Sequence, residues 1–118
     1  MTDQAHSCLS IDNAMEYVGD MQGVLALLGT LENSLQSDLP RIQVLLDAND
    51  LPGANRILHQ FKGFAPVFCA DELGAEVVHV ENLSKGDDAA GTRAAYALLA
   101  PKLQQLLAEV QATLAKAS

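Results

Sequence analysis

The sequence lacks several features that would place it in large classes of protein. Tryptophan is absent, aromatic residues make up 4 % of the 118 residues, and seven basic residues face fifteen acidic ones. The formal net charge of −8 argues against nucleic acid and acidic membrane surfaces as partners, because both attract basic proteins. No apolar run reaches the roughly 18 residues of a membrane span. We therefore expect no nucleic-acid partner and no direct membrane contact.

Cysteine is scarcer than the aromatic residues, with two in the chain. Cys8 and Cys69 match no metal-binding spacing and no C-x-x-C pair, so we interpret them as reduced thiols of a cytoplasmic protein. Residues 1–9 have neither the basic start nor the apolar centre of a secretory signal, and we expect them to form a flexible polar leader. Residues 10–118 then form one domain, which is long enough for an independent core.

Every long apolar periodicity in the chain is helical, and none is typical of a strand. A short first helix is predicted from a cap at Ser10 to Val18. The second stripe alternates steps of three and four residues from Met21 to Leu46. Pro40 lies within it, and because proline removes a backbone donor, we expect a kink near residues 36–40 or two collinear helices.

Three further helices are predicted in the second half of the chain. The third runs from about Pro52 to Pro66 or Phe68, and the fourth begins near Asp71. The last helix is expected to follow an acidic cap at Asp87. Its apolar stripe is the cleanest and consists of Thr92, Tyr96, Leu99, Leu103, Leu106, Val110, Thr113 and Leu114. Such helices cannot bury their stripes singly, so the sequence predicts an all-α fold, an antiparallel four-helix bundle with a short additional N-terminal helix.

Segment 58–63, with the sequence LHQFKG, carries the candidate chemistry. At about 100° per residue, His59 lies roughly 140° from the apolar direction of its helix, Gly63 about 180° and Lys62 about 80°. Lys62 is one turn from His59 and is expected to reach back toward it. Gly63 costs about 1 kcal/mol of helix stability relative to alanine without a packing reason. With Arg56 nearby, this exposed imidazole is arranged to receive an anion.

Several alternatives compete with that interpretation. His59 could be a satisfied core histidine, or it could belong to an ordinary solvated face. Glu76 and His79 form one Glu-x-x-His step, the ligand pair of di-iron bundles, but such sites need two steps and two more glutamates. We predict no metal site. An autonomous enzyme is disfavoured because the sequence has no nucleotide-binding glycine loop and no cofactor fingerprint.

Residues 58–65, LHQFKGFA, resemble the signature of histidine-containing phosphotransfer (HPt) domains. The signature of that family has eight consecutive positions. They are an apolar residue or alanine, His, any residue, Leu or Phe, Lys, Gly and then two small residues. Ala70, Leu73 and Glu81 follow at the family's usual spacing. The order of the upstream helices also matches, so the resemblance covers about residues 10–115.

The resemblance implies a phosphocarrier of a two-component phosphorelay rather than an autonomous kinase. His59 would accept a phosphoryl group from a receiver-domain aspartate of a hybrid sensor kinase and pass it to the receiver domain of a response regulator. Lys62 would offset the phosphoryl charge, Arg56 and Gln60 would support the site, and Gly63 would let the receiver approach. Glu81 would accept the other ring N–H of the histidine, or would be a solvated helix charge.

Residues around this motif are predicted to contact the partner, namely Asn55, Phe64, Pro66 and Val67. Phe64 stands where the family has a small residue, Pro66 where its helix normally continues, and Cys69 where glycine is usual. No cofactor is expected on this chain, since the partner receiver supplies Mg²⁺, and the chain is expected to be a monomer. The alternative function is a helical module that binds a partner through Phe64 and Val67 without carrying phosphate.

Overall fold

The computed structural model describes residues 8–117, and this part of the chain is almost entirely helical. Its elements in order are α1 (Ile11–Val18), α2 (Met21–Asp47), α3 (Leu51–Phe68), α4 (Asp71–Ser84) and α5 (Ala89–Ala117). The prediction of an all-α fold is confirmed. Among these five helices, none has both the length and the apolar character needed to cross a membrane.

Short polar side chains cap the starts of α1, α2, α3 and α5, whereas α4 follows Ala70 without a side-chain cap. The side chains of Ser10, Asp20 and Asp50 each accept a backbone N–H three residues further on, and so satisfy a donor that the first turn leaves without a partner. Before α5 the capping side chain belongs to Asp88, whose carboxylate accepts the N–H of residue 91 at 2.8 Å. The predicted cap at Asp87 is wrong by one residue. A capping side chain accepts the N–H three residues further on, and the N–H that is bound belongs to residue 91, so the cap is residue 88.

Two prolines lie inside long helices without ending them. α2 continues through Pro40 and α5 continues through Pro101. Both prolines are exposed, so each ring and each missing N–H lies on the water-facing side while the buried stripe continues past it. The alternative of two collinear helices in place of α2 is therefore wrong.

The helices α2, α3, α4 and α5 contact one another in a closed ring, with α1 packed on α2 and α3. Their buried stripes meet in one core, in which Leu, Val, Ile and Ala predominate. Met21, predicted to face inward, is instead exposed. It is the first residue of α2, where a side chain leans toward the preceding turn, and that turn is itself exposed.

The segment before α1 is held against the C-terminal end of α3. Leu9 and Cys69 form a single antiparallel β-bridge, with Ser10 N–H donating to the Phe68 carbonyl at 2.7 Å. Cys8 and Leu9 are buried, although the sequence analysis assigned both to the leader, so the ordered domain includes them. The remaining leader residues, 1–7, lie outside the described part of the chain.

Both thiols lie at this contact, Cys8 in the segment before α1 and Cys69 at the end of α3. Burial raises the pKa of the Cys69 thiol to about 12, with a smaller contribution from nearby Cys8. The pKa of Cys8 is raised as well, by burial first and then by the carboxylate of Glu109. Because the thiolate is the reactive form of cysteine, both side chains are protonated and unreactive at neutral pH.

Two leucines of α5 offer a matched test of this core. Leu103 is fully buried, whereas the side chain of Leu98 is 74 % exposed on the same helix. We expect Leu103→Ala to lower the free energy of unfolding by about 2–5 kcal/mol, since it removes buried methyl groups and leaves a cavity. Leu98→Ala should change it by less than about 0.5 kcal/mol. Urea unfolding measures both, and equal effects would contradict the register of α5.

Candidate functional site

His59 lies on the outer face of α3, with its side chain 68 % exposed. Its chain neighbours Leu58 and Phe61 are fully buried, so the helix is anchored on one side and offers the imidazole to solvent on the other. The prediction that His59 faces away from the core is confirmed. The alternative of a satisfied core histidine is wrong.

Glu81 of α4 is the centre of the polar contacts beside His59, and none of its surface is exposed. Its Oε2 accepts a hydrogen bond from Asn55 Nδ2 at 3.0 Å and lies 3.6 Å from His59 Nδ1. Its Oε1 lies 3.4 Å from Lys62 Nζ and 3.5 Å from Lys85 Nζ. The His59 contact is longer than an ordinary N–H···O hydrogen bond. The alternative that Glu81 is a solvated helix charge is wrong.

A second set of hydrogen bonds fixes the backbone around this carboxylate. Asn55 Nδ2 also donates to the Glu81 carbonyl at 3.3 Å and to Ser84 Oγ at 2.9 Å. Ser84 Oγ in turn donates to the Glu81 carbonyl at 2.7 Å. The amide of Asn55 thus joins the first half of α3 to the last turn of α4, whereas the sequence analysis expected Asn55 to contact a partner.

The charge state of Glu81 follows from these contacts. Burial is the largest influence and raises the pKa of its carboxyl, but the Asn55 amide and the ammonium groups of Lys62 and Lys85 outweigh it, so the pKa is lowered overall. Buried carboxylates stay ionised only where such partners compensate for lost hydration. At neutral pH the site therefore holds a buried negative charge directly beneath the imidazole.

Lys62 is placed differently from the expectation. Its ammonium was expected to reach back toward His59, but it contacts Oε1 of Glu81. His59 and Lys62 thus face opposite oxygens of the same carboxylate. The reason is that the carboxylate of Glu81 lies within reach of the lysine and attracts it more strongly than an imidazole does.

Gly63 leaves open space on the exposed side of α3. A Cβ atom added there would meet no heavy atom within 4 Å. A side chain at this position would project into solvent beside His59 without disturbing the core. No packing requirement therefore explains the glycine, in agreement with the sequence analysis.

The other predicted site residues surround the histidine at different depths. Arg56 and Gln60 are exposed and line a shallow cavity between α2 and α3. Pro66 is also exposed, and α3 continues through it to Phe68. Phe64 and Val67 are only half-buried.

The apolar side chains expected to form a docking rim are largely used within the chain. The Phe64 ring packs against the rings of Phe61 and Phe68, with centroids 5.1 and 6.4 Å apart. Val67 also packs against the core. Each residue therefore offers only part of its side chain to a partner.

The two residues considered as possible metal ligands, Glu76 and His79, do not form a metal site. Both carboxylate oxygens of Glu76 lie 2.7 Å from Lys102 Nζ, and His79 is exposed. Across residues 8–117, no three His, Cys, Asp or Glu side chains are grouped closely enough to hold a metal ion.

Comparison with known families agrees with the geometry around His59. A family model described as the Hpt domain matches residues 26–113, which include almost all of α2 through α5. The chain belongs to the Hpt domain family. Hpt domains are histidine phosphotransfer modules of phosphorelays, and they carry phosphoryl groups rather than acting as kinases. No curated protein and no solved structure matches the chain.

Sequence reasoning missed two members of this Hpt site. Neither Lys85, in the turn after α4, nor Ser84, on the buried face of α4, is among the predicted site residues. The signal for Lys85 was present, since residues four apart on a helix are neighbours and Glu81 precedes it by four. Ser84 is a polar residue on the buried stripe of α4, which indicates a polar partner on the facing helix.

The ionised state of Glu81 predicts a pH-dependent stability. Because its pKa is lowered in the folded chain, its contribution is complete above the ordinary carboxyl pKa of about 4.3 and is lost as the pH falls through the folded-state value. We expect Glu81→Gln to lower the free energy of unfolding by about 1–3 kcal/mol at neutral pH, and the difference from the unaltered chain to shrink in acid.

Urea unfolding at a series of pH values measures this difference. Glu76→Gln is the matched control, since its carboxylate pairs with a lysine on the exposed surface, and its effect should be much smaller. A difference for Glu81→Gln that stays constant from neutral to acid pH would contradict the lowered pKa.

Proposed function

We propose that this Hpt domain carries a phosphoryl group on His59 in a two-component phosphorelay. It accepts the group from a receiver-domain aspartate of a hybrid sensor kinase and passes it to the receiver domain of a response regulator. The observation that carries this assignment is an exposed imidazole whose Nδ1 faces a buried, ionised carboxylate. The short connections between helices favour antiparallel neighbours, so that the ring of α2 to α5 supports α3 as a rigid platform. We place this function in the cytoplasm, in a monomer.

The transfer step follows from the two ring nitrogens. Nδ1 keeps its proton because it faces the carboxylate of Glu81, and the lone pair is then on Nε2. Nε2 attacks the phosphorus of the receiver's aspartyl phosphate, the N–P bond forms as the P–O bond to the aspartate breaks, and the aspartate leaves as a carboxylate. The ring becomes a phosphorylated imidazolium that retains its Nδ1 proton, and the negative charge of Glu81 stabilises it.

Charge around the imidazole makes the phosphorylated state favourable. Phosphoryl transfer has a loose, in-line transition state, in which positioning and electrostatic stabilisation supply most of the catalysis. The phosphoryl group brings about −1.5 to −2 charges near neutral pH, and Lys62 is a cation one turn further along α3 from His59. Arg56 lies one turn before the histidine, and Gln60 follows it directly in the chain. The receiver supplies Mg²⁺, so no metal on this chain is required.

The surface around His59 provides the access that transfer requires. Gly63 has open space where a side chain would project, so the receiver's loops can approach the imidazole closely. Pro66 is exposed one turn beyond Lys62, and Asn55, Phe64 and Val67 flank the same face. We propose that the receiver contacts these residues, with the polar groups near His59 closest to its aspartate.

Replacement of the proposed acceptor gives the first test. We expect His59→Gln to fold normally, since the side chain is exposed, and to lose all acid-labile label after incubation with phosphorylated receiver domains. His79→Gln is the matched control, because it removes the exposed histidine of α4, and should be labelled normally. Retained acid-labile phosphate on His59→Gln would contradict the assignment and would leave the non-phosphorylated binding module as the better function.

The access provided by Gly63 gives the second test. We expect Gly63→Glu to fold and to slow transfer from a phosphorylated receiver by about tenfold or more, equivalent to about 1.4 kcal/mol, because the new side chain obstructs the approach and repels the phosphoryl group. Gly63→Gln separates obstruction from charge, since it has the same size and no charge.

The matched control uses the glycine of α2. A Cβ at Gly29 would also meet nothing within 4 Å, so Gly29→Glu adds the same side chain and charge away from His59. Single-turnover quench measurements give the three rates. Equal rates for Gly63→Glu and Gly29→Glu would contradict the access role.

A further inference from the structure

Two ammonium groups share a single oxygen of the buried carboxylate. Lys62 Nζ from α3 and Lys85 Nζ from the turn after α4 lie 3.4 and 3.5 Å from Oε1 of Glu81. The Lys85 side chain is 52 % exposed, whereas Glu81 has no exposed surface. One cation would be enough to compensate a single carboxylate in charge. The second, Lys85, has no part in the phosphocarrier mechanism given above.

The shared oxygen matters because Lys62 has two tasks. Before transfer its ammonium pairs with Glu81, and after transfer the phosphoryl group on His59 attracts the same ammonium. If Lys62 were the only cation at Oε1, its departure would leave that buried oxygen without a charged partner, since the imidazolium of His59 faces the other oxygen, Oε2, and an uncompensated buried charge is destabilising. Lys62 would then be held at Glu81 and could not stabilise the phosphoryl group fully.

Lys85 removes this conflict. We propose that Lys85 is a positioning residue that keeps Glu81 charge-paired while Lys62 moves to the phosphoryl group on His59. This inference rests on the proposed phosphoryl-acceptor role of His59. It assigns to Lys85 an effect on the phosphorylated state that is exerted through Lys62 and not by direct contact with phosphate.

The remaining contacts of Glu81 favour movement of the lysine over movement of the carboxylate. Oε2 is held by Asn55, and the Glu81 backbone carbonyl is held by both Asn55 and Ser84. Lys85 follows the last residue of α4, and its backbone N–H donates to the Asn82 carbonyl at 3.2 Å. Glu81 and Lys85 therefore belong to one fixed turn, while the long, flexible side chain of Lys62 enters from the facing helix.

The test uses phosphoramidate, a small phosphoryl donor that phosphorylates an exposed imidazole with release of ammonia and needs no receiver. The ³¹P resonance of phosphorylated His59 is the one that the His59→Gln chain lacks. Its shift, followed through the second phosphate ionisation near a pKa of about 6, reports how strongly cations hold the phosphoryl group. A cation that leaves the group raises this pKa.

The decisive measurement is a double-variant cycle on that pKa. We expect Lys62→Gln to raise the phosphoryl pKa, Lys85→Gln to reproduce most of that rise, and the double variant to add little, since both changes act through the ammonium of Lys62. Lys85→Arg, which keeps the charge, should restore the unaltered value. Lys102→Gln, which removes a lysine paired with Glu76, should leave it unchanged.

Two results would overturn the inference. A phosphoryl pKa in Lys85→Gln equal to that of the unaltered chain would show that Lys62 needs no replacement at Glu81. Rises that add fully in the double variant would show that Lys85 acts on the phosphate directly. If phosphorylated receivers fail to label His59 although phosphoramidate does, the proposed function fails, and the lysine cycle still gives its own answer.

Discussion

The buried charge of Glu81 is the constraint on which the rest of the site depends. A carboxylate without exposed surface must find donors and cations within the protein, and here they come from one helix and one turn. Asn55 and Lys62 reach it from α3, and Lys85 reaches it from the turn after α4. These contacts tie α3 to the last turn of α4 in one register. The imidazole of His59 is positioned by the same register, so the fold and the site share one interaction.

Helical periodicity lets α3 combine this site with core packing. Leu58 and Phe61 are buried, while the residue after each of them, His59 and Lys62, is exposed and half-buried respectively. A rotation of one residue step, about 100°, separates the packing role from the chemical role. The rings of Phe64 and Phe68 extend the packing along the same helix. The exposed imidazole therefore stands on a helix whose other face is fixed by aromatic contacts.

The sequence predicted the elements well because helix periodicity and caps are local properties. Spacing within one helix is enough to predict the apolar stripes of the major helices, the cap at Ser10 and the outward position of His59. The burial of Glu81 does not, because it depends on which face of α4 lies against α3. The spacing of Val77, Glu81 and Ser84 contains the signal in retrospect, since polar residues that continue an apolar stripe must find partners across the interface.

Contacts between distant parts of the chain were predicted least well. Cys8 and Leu9 appeared to belong to a polar leader, but their backbone N–H groups both donate to the carboxylate of Glu109, a hundred residues away. Nothing in the composition of residues 1–9 indicates that acceptor. The same limitation explains why the direction of the Lys62 side chain was predicted wrongly. The prediction considered only neighbours on α3, whereas the side chain turns toward Glu81 on α4.

Glu81 and Glu109 show two uses of a carboxylate in one small domain. Glu109 accepts backbone N–H groups, which cannot leave without unfolding the segment that carries them, so its contact permanently fastens residues that precede the region matched by the Hpt family model. Glu81 accepts ammonium groups on flexible side chains, which need no change in the backbone in order to move. A phosphocarrier gains and loses nearly two charges in each cycle. Exchangeable partners around a fixed carboxylate allow that change of charge while the helices stay in place.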